Sequence, residues 1–147
     1  MTTASRTSQN TRSQRKLAFT ATFSHLEMFL PQALRDKAAS PFVACLEVDS
    51  SALSEEEWLC WLIKNDPEVL VTAWSTQRLP EVFLKKTQRL KYICNLTGSV
   101  RHIVPRAYLE DGVRVTNWGN SISPVVAEAG LMLILACLRR LVEVNHR

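Results

Sequence analysis

Three stretches in the second half of the chain decide the expected fold. They read EVLVTAW at residues 68–74, LKYICNLTGSVRHI at residues 90–103, and VRVTNWGNSISPVVAEAGLMLILACLRRL at residues 113–141. The first is almost continuously apolar, which is typical of a parallel strand covered on both faces. The second joins a strand to a glycine-containing turn, and the third joins a strand to a long apolar helix. Together they predict strand–helix units and a parallel sheet.

The same alternation of strand and helix patterns extends toward the N-terminus. The predicted strands cover residues 17–22, 42–48, 69–74, 92–96 and 113–116, and the predicted helices cover residues 24–39, 53–65, 79–87, 104–111 and 124–144. Pro31 interrupts the first helical pattern, so that helix is expected to kink or start late. Ser54 and Glu57 have the spacing of a capping box. The pattern predicts a flavodoxin-like, doubly wound α/β fold, with a parallel five-stranded sheet of order 2-1-3-4-5 and a long C-terminal helix.

Basic residues are concentrated at the N-terminus. The chain has 147 residues and a net charge of +4, and the first 16 residues contain Arg6, Arg12, Arg15 and Lys16 but no acid. The remaining residues carry 14 basic and 14 acidic side chains, so they provide no net field for a nucleic acid. The composition predicts a disordered basic tail at residues 1–15, one domain at residues 16–123, and a long apolar helix at residues 124–147.

The cysteines and the hydrophobic runs indicate the compartment. Cys45, Cys60, Cys94 and Cys137 each lie among apolar neighbours, and their spacing does not match a metal-ligand pair,. We therefore expect buried, reduced cysteines in a cytoplasmic protein. The basic tail is not followed by the apolar segment of a secretory signal. The apolar run at residues 129–138 is shorter than the roughly 20 residues that span a bilayer, so no membrane association is expected.

Ligands of doubly wound sheets bind at the carboxyl ends of the strands. Gly98, Ser99 and Val100 form a turn after the fourth predicted strand, where successive amides can bind an anion. The alternative interpretation is an ordinary tight turn between a strand and a helix. Trp74 ends the third predicted strand, where it either faces a ligand or caps the edge of the sheet. His102 follows the glycine turn without a carboxylate nearby in sequence, which favours a surface histidine.

Several nucleotide-binding folds are excluded by the residues that are absent. The four glycines are Gly98, Gly112, Gly119 and Gly130, so the chain contains neither the G-x-G-x-x-G fingerprint of dinucleotide binding nor a P-loop. A phosphoreceiver domain requires acidic residues where this chain has Thr22 and Trp74. A flavodoxin requires a phosphate-binding loop after the first strand, and the sequence TATFSH at residues 20–25 contains no glycine.

The ordered segments resemble the substrate-domain half of the D-isomer-specific 2-hydroxyacid dehydrogenases. The resemblance rests on the TGSV turn at residues 97–100, on VTN at residues 115–117, and on VAE at residues 126–128. It implies NAD(P)-linked oxidoreduction between a 2-hydroxy acid and a 2-oxo acid. It also implies that main-chain amides at Gly98, Ser99 and Val100 bind the substrate carboxylate, with Trp74 beside the substrate.

The resemblance assigns further roles to the region after the fifth strand. Val125 and Val126 are the candidate cofactor contacts, whereas Asn117 and Glu128 are expected to be architectural. Asn117 would hold a loop by bonding to the backbone. The family's turn usually has two glycines, and this chain has one.

The family's nucleotide-binding domain and its catalytic arginine, glutamate and histidine belong to sequence beyond Arg147. We therefore expect a truncated or split relative that has no catalytic residue of its own, binds no cofactor by itself and is inactive alone. The alternative is a stand-alone carboxylate-binding or dimerisation module without catalysis. In either case the helix at residues 124–144 is expected to pair with a second copy or with a partner chain. Neither the sequence nor the resemblance indicates a metal.

Overall fold

A five-stranded, entirely parallel sheet organises the first part of the protein. The computed structural model describes residues 15–87 and 89–139. The strand order is β2-β1-β3-β4-β5, with strands at β1 Lys16–Phe19, β2 Ala44–Glu47, β3 Val69–Thr72, β4 Tyr92–Asn95 and β5 Arg114–Thr116. The predicted α/β fold class and the predicted strand order are confirmed. Each strand is shorter than its apolar pattern predicted, because the pattern continues into residues that lie beyond the hydrogen-bonded pairing of neighbouring strands.

In the described part of the chain, six α-helices lie between or after the strands, and two of them lie between β1 and β2. Their bounds are α1 Phe23–Phe29, α2 Gln32–Ala39, α3 Glu55–Asn65, α4 Glu81–Lys86, α5 Arg106–Glu110 and α6 Ser123–Leu138. Pro31 divides the first predicted helix into α1 and α2, and it becomes the N-cap of α2. This outcome follows from the lack of a backbone N–H on proline and from the clash of its ring with the preceding turn. A short 3-10 turn at Ser50–Ala52 precedes α3 and was not predicted.

The capping box of α3 is present as predicted. The Ser54 hydroxyl accepts from the Glu57 backbone N–H, and the Glu57 carboxylate accepts from the Ser54 backbone N–H at 2.9 Å. Glu55, Glu56 and Glu57 occupy the first turn, where acidic side chains interact favourably with the helix dipole. These local interactions fix the start of the helix that places Trp58 and Leu62 in the core.

The two faces of the sheet carry separate apolar clusters. Alternate strand residues point to opposite faces, so Ala18 and Leu70 belong to one cluster while Leu17 and Val71 belong to the other. The first cluster is filled by side chains of α3, α4 and α5, chiefly Trp58, Leu62, Phe83 and Tyr108. The second is filled by Phe19, Ala21, Ala73 and, from α1, Leu26. Coverage by helices on both faces explains why β3 is almost continuously apolar.

The expectation that all four cysteines are buried is wrong. Cys45, Cys60 and Cys137 are exposed, Cys94 is half-buried, and all four are free thiols. Cys45 lies on β2, which is an edge strand of the sheet and has alternating half-buried and exposed residues. Apolar neighbours in sequence do not imply burial on such a strand, because successive side chains point to opposite faces.

The structure divides into two units at Asn117 and Trp118. The first contains the sheet and its helices. The second contains a turn at residues 118–122 followed by α6, in which Pro124 occupies the first turn and no side chain between Ser123 and Leu138 is buried. The predicted tail lies outside the described residues as far as residue 14, and so does the predicted end of the last helix. No helix in the described part of the chain is long and apolar enough to cross a bilayer.

Candidate functional site

The turn after β4 is held by a buried asparagine. Asn95, the last residue of β4, is 2% exposed. Its amide Nδ2 donates to the carbonyl and to the hydroxyl of Thr97, each at 2.9 Å. Its Oδ1 accepts from the Thr72 hydroxyl at 3.0 Å. Because Thr72 and Asn95 are paired in the register of β3 and β4, the turn is anchored to two neighbouring strands.

Two further carbonyls of the turn, those of Gly98 and Val100, also accept protein hydrogen bonds. Asn117 Nδ2 donates to the Gly98 carbonyl, which agrees with the prediction that this asparagine holds a loop through the backbone. The Val100 carbonyl accepts from the backbone N–H groups of Ile103 at 3.0 Å and Val104 at 2.8 Å. The carbonyls of Thr97, Gly98 and Val100 are therefore all turned toward protein donors.

The amides of the same turn are left for an external acceptor. Within residues 15–87 and 89–139, the backbone N–H groups of Gly98, Ser99 and Val100 donate to no protein acceptor. Ser99 is exposed, and Gly98 and Val100 are half-buried. Successive N–H groups without internal partners form an anion-binding site when they converge on one point. A carboxylate or a similar small anion is the ligand that suits such a turn.

Gly98 does not adopt the left-handed conformation that a tight glycine turn suggests. The glycines with positive φ are Gly112, at 87°, and Gly119, at 59°. A Cβ added to Gly98 would meet no atom within 4 Å. The backbone conformation at Gly98 therefore does not require glycine, and the position of its missing Cβ is open space.

A guanidinium group lies next to this turn. Arg78 Nη1 donates to the carbonyl of Arg101 at 3.4 Å, and both residues are exposed. Arg101 itself directly follows Val100 in the chain. Positive charge at the edge of the turn raises the local concentration of anions. The two arginines would therefore favour an anionic ligand, as the backbone N–H groups of the turn would.

Trp74 follows β3 and lies within an aromatic group that the sequence did not predict. Its indole contacts Phe29 edge-on at a centroid distance of 5.2 Å and His25 at 6.0 Å. The His25 Nδ1 is 2.8 Å from the Ser75 hydroxyl. His25 follows β1 and Ser75 follows β3, and these two strands are neighbours. The predicted strand order already placed β1 next to β3 and therefore the loops after them close together. The sequence did not single out this pair, because His25 and Ser75 are 50 positions apart and form no recognisable motif.

The remaining candidate residues are exposed, namely His102, Val125, Val126 and Glu128. His102 is exposed, as expected for a surface histidine. Val125 and Val126 belong to α6 in the second unit, where they are 62% and 61% exposed, and Glu128 is exposed on the same helix. His146 lies outside the described residues. Over the described ranges, no group of three or more histidine, cysteine, aspartate or glutamate side chains is arranged to hold a metal ion.

Comparisons with known proteins identify similar folds. No protein-family model matches the chain, and no curated protein matches it. Among solved structures, it is similar to an acyclic imino acid reductase in complex with NADPH and D-Arg, with a TM-score of 0.61 and 20% identity over 89% of this chain. It is also similar to a 2-hydroxyacid dehydrogenase from Ketogulonicigenium vulgare Y25, with a TM-score of 0.60 and 15% identity over 90% of this chain.

Similarity at this level of identity shows a shared fold. The chain corresponds to 39% of the length of the reductase and 38% of the length of the dehydrogenase. The shared part is thus less than two-fifths of each neighbour.

Proposed function

We propose that this chain is the substrate-binding half of an oxidoreductase similar to the D-2-hydroxyacid dehydrogenases. The observation that carries the proposal is the turn at residues 97–100. The carbonyls of Thr97, Gly98 and Val100 accept protein hydrogen bonds, whereas the backbone N–H groups of Gly98, Ser99 and Val100 donate none within the described residues. The sheet order and the fold of the two neighbouring structures support it. Gly98, Ser99 and Val100 would orient the carboxylate of a 2-hydroxy or 2-oxo acid, and Trp74 would lie beside that acid.

The chain's own residues do not fit a dinucleotide. The turns from strand to helix contain at most one glycine each, namely Gly98 and Gly119. A dinucleotide pyrophosphate requires three glycines between a strand and a helix. We therefore assign NAD(P), which supplies or accepts the hydride when bound, to a separate nucleotide-binding domain. Val125 and Val126 are the candidates for apolar contact with a cofactor held by that domain. By itself the chain is proposed to be inactive.

Titration of the isotopically labelled chain with pyruvate or glyoxylate tests the carboxylate site. We expect amide shifts that cluster at residues 97–101. The affinity should be near the millimolar range, about −4 kcal/mol, because half of the site is supplied by another domain. Shifts confined to residues 1–16 would instead indicate attraction to the basic tail and would contradict the proposal.

A dimerisation module is the second candidate function, and α6 supports it. Its large apolar side chains are more than half exposed, among them Leu131 at 58%, Met132 at 63% and Leu138 at 74%. Patches of this kind usually mark an interface. A symmetric homodimer or a partner chain would cover them. The two functions are compatible, and we propose a cytoplasmic location for either because the cysteines are free thiols,.

A further inference from the structure

Three aromatic rings meet where β1 and β3 end. The Phe29 and Trp74 rings are perpendicular, with an interplanar angle of 88° and centroids 5.2 Å apart. The His25 ring is edge-on to Trp74 at 6.0 Å and tilted against Phe29 at 6.1 Å. Phe29 is half-buried on the apolar cluster of the α1 face, whereas Trp74 is 52% exposed. The group therefore has a packed base and an accessible tryptophan.

Polar contacts hold this aromatic group in place. The Ser75 hydroxyl accepts from the Thr22 backbone N–H at 2.9 Å and contacts His25 Nδ1 at 2.8 Å. Thr22 is the N-cap of α1, and its hydroxyl accepts from the His25 backbone N–H. The loop after β1 and the loop after β3 are thus joined through one serine. Rings fixed by packing and hydrogen bonds lose little further freedom on binding, which makes them an effective platform for a ligand.

The platform lies one strand away from the amide turn. Thr72 on β3 is paired with Asn95 on β4, and Trp74 and Thr97 each follow their strand by two residues. Neighbouring strands are about 5 Å apart. A small acid whose carboxylate binds at Gly98–Val100 can therefore extend its substituent toward Trp74.

We propose that His25, Phe29 and Trp74 recognise an aromatic substituent on the acid, so that the substrate class is an aryl-substituted 2-hydroxy or 2-oxo acid. This inference rests on the proposed function. An added ring can make the same perpendicular or offset contacts that the three rings already make with one another, and such contacts are worth more than burial alone.

The test titrates the full, isotopically labelled chain with D-3-phenyllactate and with D-lactate. Binding is measured by the NMR shifts of the backbone amides and of the indole N–H groups. We expect phenyllactate to bind roughly tenfold tighter and to shift the Trp74 indole N–H, whereas lactate shifts residues 97–101 only. Trp74→Ala should reduce the affinity for phenyllactate to about that for lactate. Phe29→Leu should weaken phenyllactate severalfold. Phe42→Leu is its matched control, since Phe42 is also half-buried on the same apolar cluster.

The outcomes separate this inference from the proposed function. If lactate shifts residues 97–101 and phenyllactate binds no tighter, the aromatic subsite is wrong and the carboxylate site stands. If neither acid shifts residues 97–101, the proposed function fails and the inference fails with it. Equal loss of phenyllactate binding in Phe29→Leu and Phe42→Leu would show a general loss of stability and would also overturn the subsite.

Discussion

Asparagine side chains determine the shape of the candidate carboxylate turn. The side-chain amides of Asn95 and Asn117 donate to the carbonyls of Thr97 and Gly98. The backbone N–H groups of residues 98–100 donate to no protein acceptor in the described part of the chain. A serine or an aspartate could not replace Asn95, because its amide both donates to Thr97 and accepts from Thr72. The proposed anion site therefore depends on which backbone groups of the turn already have protein partners.

Asn117→Ala should weaken carboxylate binding without unfolding the protein. The Gly98 carbonyl would lose its donor and the peptide plane would gain freedom, which costs about 1 kcal/mol, or roughly fivefold in affinity. Asn117 is exposed, so the free energy of unfolding should change little. Pyruvate titration measures the affinity, and Asn120→Ala, an exposed asparagine in the next turn, is the control. Unchanged affinity in Asn117→Ala would show that the turn keeps its shape without this bond.

Gly98→Ala should leave the fold intact and reduce pyruvate binding. The new Cβ meets no protein atom within 4 Å, so any lost affinity reflects space that the ligand occupies. Gly112→Ala is the contrasting variant, because Gly112 has a φ of +87°, and it should lower the free energy of unfolding by about 1 kcal/mol or more. Urea unfolding and pyruvate titration of both variants check this. Unimpaired pyruvate binding in Gly98→Ala would place the ligand elsewhere.

The capping box of α3 provides a pH-dependent test at the same scale. Hydrogen bonds from the Ser54 backbone N–H and then from its hydroxyl lower the pKa of Glu57. The stabilisation is present above the pKa of an unfolded glutamate and is lost as the pH falls through the lower pKa of the folded state. Ser54→Ala should raise the pKa of Glu57 only part of the way toward its ordinary value, because the larger contribution, from the Ser54 backbone N–H, remains. Loss of the N-cap hydroxyl should also lower the free energy of unfolding.

Carboxyl NMR titration and urea unfolding measure these two effects of Ser54→Ala. Ser40→Ala is the control, because the cap bond of α2 is made by the Ser40 backbone N–H and not by its side chain. If both serine variants lose equal stability, the capping box contributes nothing specific.

At the scale of elements, α6 differs from the other helices in having no buried residue between Ser123 and Leu138. A helix that is apolar all round is normally buried on several sides. We expect the chain to self-associate through this helix, with Leu135 among the contacts. Leu135→Glu should yield a soluble monomer, because an unpaired charge cannot remain in an apolar seam.

Light scattering at micromolar concentration measures the oligomeric state. Asn120→Glu adds the same charge at an exposed position in the turn before α6 and serves as the control for charge alone. A wild-type chain that is monomeric and binds no hydrophobic dye would rule out the dimer.

At the scale of the whole molecule, the chain should neither bind NADH appreciably nor oxidise 2-hydroxy acids by itself. The reason is the lack of a G-x-G-x-x-G sequence among its four glycines,. Calorimetry with NADH and a dehydrogenase assay on the purified chain provide the measurement. Robust turnover with any 2-hydroxy or 2-oxo acid would contradict the assignment of the nucleotide site to another domain.

The sequence alone determined the elements and their order. Apolar periodicity and glycine placement are local properties, so the five strands, the division of the first helix at Pro31 and the capping box of Ser54 and Glu57 could be predicted from neighbours in the chain. The order 2-1-3-4-5 followed from the handedness of crossovers. The position of the Gly98 turn after β4 could be predicted in the same way, whereas the expectation that Asn117 holds a loop came from the family resemblance.

The tertiary structure alone decided which side chains meet. His25 and Ser75 are 50 positions apart, and they come together because β1 and β3 are adjacent in the sheet. The exposure of Cys45 and Cys60 depended on which face of an element is covered, which apolar neighbours in sequence do not report. The Gly98 carbonyl accepts from Asn117, 19 positions along the chain, and this contact also depends on β4 and β5 being adjacent in the sheet.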